Sequence, residues 1–445
     1  EIIDFRLKEI LSNMIALDNI SRIGLGAYRM SLMNNKDIHT LHYAVKSGVN
    51  LIDTASNYEN GNSELLIGKY LRENNDTDLF VTTKFRYVQD HKEINQMLLE
   101  KVISKSDLTI YGNTVHCVHP SFLLKKIEQS QFRLGRNAIG GYLIHNPEYF
   151  LKAYPQKQEE YYERLAECFT LLEELVHLGR IKYYGISSNT LGQPLDLPTT
   201  TNASKLVKIA QNISSTNSFK ICQFPFNLYE NSAISPTIHG KSLLATLREN
   251  NIRSFTNRPL NAHTKQGFIR LATYKTEINE EISTSFDKLF DYIKKLLTQV
   301  EGQNDPMDFE IVKHLSKSWK EIGNHQAVDL LFREHLLPFF SALTQSNLNL
   351  EEFKDEKQCR SELMIIKKFY QACYIYSDYT MSKQCLGYID NIDSPKLKFL
   401  IKENRNIPLS VCEYYLTEGI DHVLVGMTKK PYIDELKELF LKDPL

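Results

Sequence analysis

Residues 51–64 read LIDTASNYENGNSE, and this stretch decides the fold. A short apolar run ends on Asp53, Tyr58 follows in a polar turn that contains Gly61, and a helix is predicted to begin at Ser63-Glu64. An acid at the end of a buried strand, with a phenol just beyond it, is typical of a proton-transfer site on a β/α unit. The stretch therefore predicts a strand, a turn and a helix, with a candidate site where the strand ends.

Two later strand-like runs also end on polar side chains. Residues 80–83 are followed by Lys84, and residues 141–144 are followed by His145. If these strands are parallel and adjacent, their carboxyl ends meet on one rim of a barrel. The side chains expected to converge there are Asp53, Tyr58, Lys84 and His145.

Apolar runs alternate with helix-periodic runs along most of the chain. The predicted strands cover residues 21–25, 50–53, 79–83, 139–145, 181–186, 219–223, 252–255 and 421–426. The predicted helices cover residues 37–47, 64–72, 122–134, 158–178, 203–213, 242–249, 409–417 and 432–441. Eight strands alternating with helices indicate an α/β fold, a (β/α)8 TIM barrel rather than an open sheet.

Two stretches break this regular spacing. Residues 86–120 are too long for a simple strand-to-helix connection, and a hairpin is predicted around residues 108–113. Between the seventh and eighth strands, a mainly helical insertion is predicted, with segments at 282–300, 309–319, 327–343 and 359–376. We expect seven barrel units in residues 1–260, the insertion in 261–396, and the last helix, strand and helix in 397–445. Because loops that follow barrel strands lie on the catalytic face, both insertions are expected to cover its mouth.

Composition and charge exclude several classes of partner. The chain of 445 residues carries 53 Lys and Arg against 54 Asp and Glu, so it lacks the basic surface expected of a nucleic-acid or anionic-membrane binder. No apolar run approaches the roughly 20 residues that span a bilayer, and the charged first 17 residues are not expected to be a signal peptide. The seven widely spaced cysteines, without a CxxC pair, are expected to be reduced thiols in a cytoplasmic protein.

Several segments recur together in the order of a known family. The most specific are GVNLIDTASNYENGNSE and LIHNPE, accompanied by IGLGAYRM, TTKF, LEELVHLGRIKYYGISSN, ICQFPFNLYE, RPL and DHVLVGM. In these segments the sequence resembles an aldo-keto reductase, over about residues 21–260 and 397–441, with little counterpart for 86–120 and 261–396. The resemblance implies an NAD(P)H-dependent oxidoreductase that reduces an aldehyde, ketone or sugar carbonyl, or oxidises the alcohol.

The resemblance also implies roles for the four converging side chains. A phenol with an unperturbed pKa of about 10 is a poor proton donor near neutral pH, but a neighbouring ammonium lowers that pKa. Tyr58 is the implied general acid/base, Lys84 lowers its pKa, Asp53 keeps Lys84 charged and oriented, and His145 polarises the carbonyl. Each residue has an ordinary alternative, such as a helix cap for Asp53. The occurrence of all four in order favours the functional interpretation.

The expected cofactor is NADP, with NAD as an alternative, lying across the barrel mouth because no GxGxxG segment follows a strand. The resemblance places the carboxamide near Ser187, Ser188 and Gln223, with Asn189 as a further candidate, and the ribose near Gly26 and Ala27. Phe255 either stacks on the nicotinamide or packs in the core. Lys429 and Lys430 either pair with a 2′-phosphate or belong to a solvated turn. The candidates for the phosphates and the adenosine are Arg258, Pro259, Leu260, Gly426, Met427, Thr428 and Glu435.

Two other interpretations compete with an oxidoreductase. The barrel could keep the cofactor and serve as a regulatory or partner-binding subunit, with residues 261–396 as the docking surface for a protein partner. A metal-dependent hydrolase is the weaker rival, because His116-Cys117-Val118-His119 lacks a second pair of ligands. We therefore predict no metal site. Trp319 and the aromatic stretch 369–379 are expected to be core, or in the latter case part of a substrate pocket.

Overall fold

The fold is seen in a computed structural model that describes residues 14–74, 78–85, 88, 91–236, 240–264, 267–274, 284, 288, 291, 322, 324–338, 356–404 and 406–440. Its strands are β1 (Ile23–Gly26), β2 (Leu51–Asp53), β3 (Phe80–Phe85), β4 (Leu108–Tyr111), β5 (Thr114–Cys117), β6 (Ile139–His145), β7 (Ile181–Ser187), β8 (Phe219–Pro225), β9 (Arg253–Asn257), β10 (Asn261–Thr264), β11 (Gly267–Arg270) and β12 (His422–Val425).

Thirteen helices of the described residues lie between and after these strands along the chain. They are α1 (Asn35–Lys46), α2 (Asn62–Asn74), α3 (His91–Leu99), α4 (Pro120–Leu134), α5 (Tyr149–Ala153), α6 (Gln158–His177), α7 (Ala203–Ile213), α8 (Leu243–Glu249), α9 (His325–Leu331), α10 (Glu356–Asp390), α11 (Pro395–Asn404), α12 (Ile407–Thr417) and α13 (Lys430–Asp434). Polar side chains cap the amino ends of five of them, where an Asn or Ser oxygen accepts a backbone N–H. These caps are Asn34, Asn202, Ser242, Asn324 and Asn406.

Eight parallel strands close into a barrel in the order β1, β2, β3, β6, β7, β8, β9 and β12. The last strand returns to the first, with Ile23 opposite Val423 and Leu25 opposite Val425. The closed ring confirms the predicted (β/α)8 fold. Because the strands are parallel, all their carboxyl ends lie on one rim, which is where barrel enzymes build their sites.

Two small two-stranded sheets lie outside the barrel sheet. In the first, β4 pairs antiparallel with β5, with Leu108 opposite Cys117, so the hairpin predicted around residues 108–113 is present. The second sheet consists of β10 and β11, which follow β9 and are not predicted from the sequence. The closing helix predicted over 432–441 is wrong in length, since α13 ends at Asp434 and a 3-10 turn follows at Lys437–Leu439. Pro431 favours this early start because a proline is tolerated in the first turn of a helix.

The chain divides into two compact units, one formed by Glu1–Phe268 with Phe399–Leu445 and the other by Ile269–Lys398. In the second unit α9 continues into a π-helical turn at Phe332–Leu336, and the Phe332 ring lies 4.7 Å from the ring of Tyr370 on α10. The predicted segment 359–376 falls on α10, and the described part of the segment 327–343, up to residue 338, is helical as well. Those at 282–300 and 309–319, including Trp319, lie outside the described residues apart from single positions. Among the described helices, none is both long and apolar enough to cross a bilayer.

An apolar cluster fills the barrel interior and is closed at the amino end by the segment before β1. The interior side chains come from successive strands and are fully or almost fully buried. Their burial on folding is the main driving force for closing the ring. The cluster comprises Leu17, Ile20, Leu51, Phe80, Leu143, Ile221, Phe255 and Leu424.

His422 begins β12 beside this cluster and is also buried. Its ring meets the Phe255 ring edge-on at 4.9 Å, and its Nδ1 lies 3.1 Å from the carbonyl oxygen of Ser21. Burial lowers the pKa of His422 to about 4, although Asp421 opposes that shift. The native state therefore keeps the ring neutral at pH values where an unfolded chain, with a pKa of about 6.5, binds a proton.

We expect the free energy of unfolding to fall as the pH drops from 6.5 towards 4, by about 3 kcal/mol from His422 alone. Urea unfolding at pH 7 and pH 4 measures the loss. His422→Gln, which cannot titrate there, should lose less than the wild-type protein because both share all other titrating groups. Equal losses in the two proteins would contradict this assignment.

Candidate active site

The strands β2, β3 and β6 are neighbours in the barrel and bring the predicted polar side chains together. Asp53 lies opposite Thr82, and Lys84 lies opposite Leu143 one strand further on. His145 is the last residue of β6, and Tyr58 begins a 3-10 turn five residues beyond Asp53. The four side chains therefore belong to adjacent strand ends on one rim.

Lys84 is the centre of the site and is completely buried. Its Nζ donates to Asp53 Oδ2 at 2.7 Å and to the carbonyl oxygen of Thr54 at 2.7 Å. The third contact is with Tyr58 Oη at 3.4 Å, so all three N–H groups of the ammonium have a partner. Burial lowers the pKa of Lys84, but the charges of Asp53 and Tyr58 outweigh burial and the net direction is upward. Lys84 is consequently a stable cation beside the Tyr58 phenol.

Asp53 is held from both sides. One oxygen accepts from Lys84, and Oδ1 accepts from Thr82 Oγ1 at 2.8 Å and Gln223 Nε2 at 2.9 Å. Ser187 Oγ in turn donates to Gln223 Oε1 at 2.8 Å. Of the two residues predicted to bind the carboxamide, Gln223 is thus bonded directly to Asp53, and Ser187 is linked to Asp53 through Gln223. No local pattern in the sequence identifies this link, because it joins strands far apart in the chain.

Two aromatic rings flank the Tyr58 phenol. The His145 ring lies 6.3 Å from the Tyr58 ring at 81°, and the Tyr28 ring lies 5.0 Å away at 89°. His145 is 7% exposed, whereas Tyr28 is 60% exposed. Tyr28 follows the predicted ribose residue Ala27 directly, and that position is the signal that could have identified it. The exposed ring forms part of the rim that a bound molecule would meet.

A polar network continues past His145 along the ends of β6 and β7. Asn189 Nδ2 donates to Asn146 Oδ1 at 3.0 Å, and the Asn189 backbone N–H donates to Glu148 Oε1 at 3.1 Å. Glu148 is fully buried, and burial raises its pKa against the opposing effect of its hydrogen bonds. Ser188 Oγ lies 3.2 Å from Thr190 Oγ1, so its hydroxyl faces neighbouring side chains. Glu148 is missed by the sequence analysis although it ends the LIHNPE segment.

Arg258 connects this network to the end of β9. Its Nη2 donates to Glu230 Oε1 at 3.1 Å and to Asn189 Oδ1 at 3.4 Å. The Arg258 backbone has φ of 55°, a left-handed conformation that is uncommon for a residue with a side chain. The carbonyl of the next residue, Pro259, accepts from Tyr415 Oη at 3.0 Å. Arg258, Pro259 and Leu260 therefore form a tightly held corner at the rim.

The remaining predicted cofactor residues lie where β1 meets β12. Gly26 is next to Gly426, since a Cβ on Gly26 would stand 3.7 Å from the Gly426 nitrogen. Gly426 is exposed and has open space beside it, whereas Met427 and Ala27 are buried. Thr428 is half-buried between Met427 and α13, and Glu435 follows the last residue of that helix.

The helix expected to receive a phosphate has only five residues. Lys430 lies over the Tyr43 ring at 4.5 Å and Lys429 over the Tyr432 ring at 5.8 Å. A short helix presents few free N–H groups and a small dipole, so positive charge at this end rests mainly on the two lysines.

The Aldo/keto reductase family profile matches residues 22–300, which cover the four rim residues. This chain belongs to the aldo/keto reductase family. It is 29% identical over 177 residues to the NADH-specific methylglyoxal reductase of Escherichia coli K12, a match that covers 38% of this chain and 48% of that protein. It is 27% identical over 172 residues to the uncharacterized oxidoreductase YqkF of Bacillus subtilis 168, covering 38% of this chain and 45% of that protein. The chain thus spans about half the length of these relatives.

Solved aldo/keto reductase structures resemble it at lower identity. A glycerol dehydrogenase from Gluconobacter oxydans has a TM-score of 0.46 and 17% identity, over 97% of this chain and 92% of that chain. An aldo/keto reductase from Klebsiella pneumoniae, in complex with NADP and acetate, has a TM-score of 0.36 and 17% identity. That match covers 54% of this chain and 65% of the other.

Phe255 departs from its expected place in this aldo/keto reductase. The predicted strand ends at Phe255, but β9 continues to Asn257, so Phe255 lies two residues inside the barrel rather than on the rim. Its side chain is completely buried in the core cluster. The stacking contact with a nicotinamide is corrected to the alternative of core packing.

The HCVH segment has an ordinary structural role. His119 caps α4, since its Nδ1 accepts from the backbone N–H of Ser121 at 3.2 Å, and the buried His116 ring stacks on Tyr149 at 5.5 Å. In the described part of the chain, no group of three or more His, Cys, Asp or Glu side chains could hold a metal ion.

We expect Lys84→Met to lower the free energy of unfolding by about 3–5 kcal/mol, because it leaves the buried Asp53 carboxylate without its counter-ion. The double variant with Asp53→Asn should lose clearly less than the sum of the two single losses. Urea unfolding of the four proteins measures the coupling. Additive losses, within about 0.5 kcal/mol, would contradict a coupled buried pair.

Proposed function

We propose that this chain is an NAD(P)H-dependent oxidoreductase that reduces an aldehyde, ketone or sugar carbonyl, or oxidises the corresponding alcohol. The observation that carries the proposal is the Lys84 ammonium, completely buried, 2.7 Å from Asp53 and 3.4 Å from the Tyr58 phenol. A buried cation aimed at a half-buried phenol serves no packing purpose, and perturbed ionisable groups cluster at functional sites.

In the proposed reaction Tyr58 is the general acid/base. Reduced nicotinamide, when bound, supplies a hydride to the carbonyl carbon. The carbonyl oxygen then needs a proton, and the Tyr58 hydroxyl gives it while the Lys84 ammonium stabilises the phenolate that remains. In the opposite direction the same phenolate takes the proton of the alcohol. Asp53 keeps Lys84 charged and holds its ammonium group beside the Tyr58 phenol.

His145 is proposed to orient the carbonyl. Its ring lies beside the Tyr58 ring and is 7% exposed, so it could donate a hydrogen bond to a carbonyl oxygen held over Tyr58. Two donors on one oxygen stabilise the charge that develops there. The exposed Tyr28 ring would then cover the organic part of the substrate.

The rim offers hydrogen-bonding groups that suit a nicotinamide cofactor. Gln223 Nε2 uses one N–H on Asp53 and keeps a second, and Ser187 Oγ keeps its lone pairs for the N–H of a carboxamide. At the other end of the rim, open space lies beside Gly426. Ser188 and Asn189 are proposed as further carboxamide contacts, and Gly26 and Ala27 as ribose contacts.

The phosphates and adenosine are proposed to lie along Arg258, Pro259, Leu260, Gly426, Met427, Thr428 and Glu435. Lys429 and Lys430 add positive charge on this side, which favours NADP with its extra phosphate, and NAD is the alternative. Methylglyoxal reductase activity in a relative suggests a short aldehyde as the first substrate to test.

A second candidate function is a cofactor-binding regulatory or partner-binding subunit. It is favoured by Arg258, whose guanidinium is already paired with Glu230, and by the five-residue length of α13. Both features weaken the phosphate side without touching Tyr58 or Lys84. Cofactor binding without turnover would support this function.

We expect NADPH or NADH to quench the protein fluorescence on binding, and a carbonyl panel that includes methylglyoxal to give turnover. Tyr58→Phe should keep cofactor binding and lose kcat by about 10²- to 10⁴-fold, the usual contribution of a general acid. Tyr183→Phe, at the amino end of the barrel, is the matched control and should keep wild-type kcat. Turnover unaffected by Tyr58→Phe would overturn the mechanism.

A further inference from the structure

The turn that carries Tyr58 has an unusual backbone. Glu59, Asn60 and Gly61 all adopt the left-handed conformation, with φ of 48°, 55° and 88°. Residues with side chains enter this region at an energetic cost and stay there only where the surrounding structure holds them. The position of the Tyr58 phenol therefore depends on what fixes the two ends of this turn.

The amino end of the turn is fixed to the strand that carries Lys84. The Ser56 backbone N–H donates to the Lys84 carbonyl at 2.9 Å, and the Tyr58 N–H donates to the Ala55 carbonyl at 3.1 Å. At the carboxyl end, Ser63 Oγ donates to the carbonyl of Ala27 at 2.9 Å. The first turn of α2 is thereby attached to the barrel.

Glu64 makes the second attachment of that helix and is completely buried. Its Oε1 accepts from Thr83 Oγ1 at 2.5 Å, and its Oε2 accepts from Arg133 Nε at 2.6 Å. Thr83 precedes Lys84 on β3, and Arg133 belongs to α4. A Cβ on Gly61 would lie 3.1 Å from Arg133 Cδ, so the arginine side chain runs beside the Tyr58 turn. One buried carboxylate thus joins β3, α2 and α4 around the turn.

We propose that Glu64, with Arg133, is a positioning residue that holds the Tyr58 phenol against the Lys84 ammonium. Neither residue is among the substrate and cofactor contacts proposed above, and the pair acts through the turn and through Thr83. The inference deepens the proposed function and rests on it for its kinetic test, but the ionisation of Tyr58 tests it in the protein alone.

Two substitutions distinguish a positioning role of the Glu64–Arg133 pair from a purely electrostatic effect of its charges on Tyr58. Glu64→Gln removes a negative charge near Tyr58, and Arg133→Met removes a positive one. If the pair acted only through its charges, the first change would ease ionisation of the phenol and the second would oppose it. If the pair acts by position, both changes move Tyr58 and Lys84 apart, and both shift the ionisation of Tyr58 to higher pH.

The ionisation of Tyr58 can be isolated by ultraviolet titration. Subtracting the titration curve of Tyr58→Phe from that of the wild-type protein leaves the phenolate absorbance of Tyr58. For each variant, the curve of the same variant with Tyr58→Phe added is subtracted in the same way. Lys126→Met is the matched control. It removes a cation two turns earlier on the same helix, α4, whose carboxylate partner is Glu93 rather than Glu64.

We expect Glu64→Gln and Arg133→Met both to raise the midpoint for Tyr58, with Lys126→Met unchanged. Opposite shifts, no shift, or an equal shift in Lys126→Met would overturn the inference. If Glu64→Gln does not fold, Thr83→Val and Thr83→Ser carry the same test. The serine keeps the hydroxyl donor to Glu64 and should restore the wild-type midpoint, while the valine should not; equal midpoints in the two would overturn it.

Kinetics distinguish this inference from the function on which it rests. We expect Glu64→Gln to lower kcat by about 10- to 100-fold, as a misplaced catalytic group does, with the KM of the cofactor unchanged. A wild-type protein without turnover would refute the proposed function, and the titration would still decide the positioning role. An active wild type whose Tyr58 midpoint is the same in every variant would refute the positioning role alone.

Discussion

The buried contact between the Lys84 ammonium and the Asp53 carboxylate determines which polar partners the rest of the barrel mouth must supply. Removing two charges from water is costly, and the cost is recovered only where every remaining hydrogen-bonding position has a partner. Here Thr54, Thr82 and Gln223 supply those partners. Strands β2, β3 and β8 must therefore close around the pair together. A well-packed apolar pair often stabilises a fold as well as a buried ion pair does, which agrees with the chemical role proposed for Lys84 and Asp53.

The rim arrangement can be predicted from sequence because it depends on a local pattern. Asp53 and His145 end their strands and Lys84 is the last residue but one of its strand. Parallel neighbours place such ends together regardless of what lies between them. The placement of Phe255 fails for a related reason. A two-residue error in the end of a strand leaves a side chain on the same face but moves it from the rim into the interior. Gln223 also lies two residues inside its strand end, where it contacts Asp53.

Contacts that join distant elements have no local pattern to reveal them. Glu64, Arg133 and Thr83 come from three elements, and nothing in any one segment identifies the other two as partners. The second unit is a different case. Its helices show hydrophobic periodicity, but no predicted strands mark where each helix begins and ends. The predicted segment 359–376 therefore covers only about half of α10, which is 35 residues long. Barrel units are predicted more closely because each strand limits the helix that follows it.

The order of the strands along the chain has a consequence for how the protein is made. β12 fills the gap between β1 and β9, yet it leaves the ribosome only after the whole of the second unit. Until residue 425 emerges, the nascent sheet has two open edges with unpaired backbone groups, which are templates for pairing with other chains. The contact of Ile23 with Val423 also spans nearly the entire chain, and such distant pairings form slowly. Because so large a segment precedes the last strand, these edges need protection for longer during synthesis.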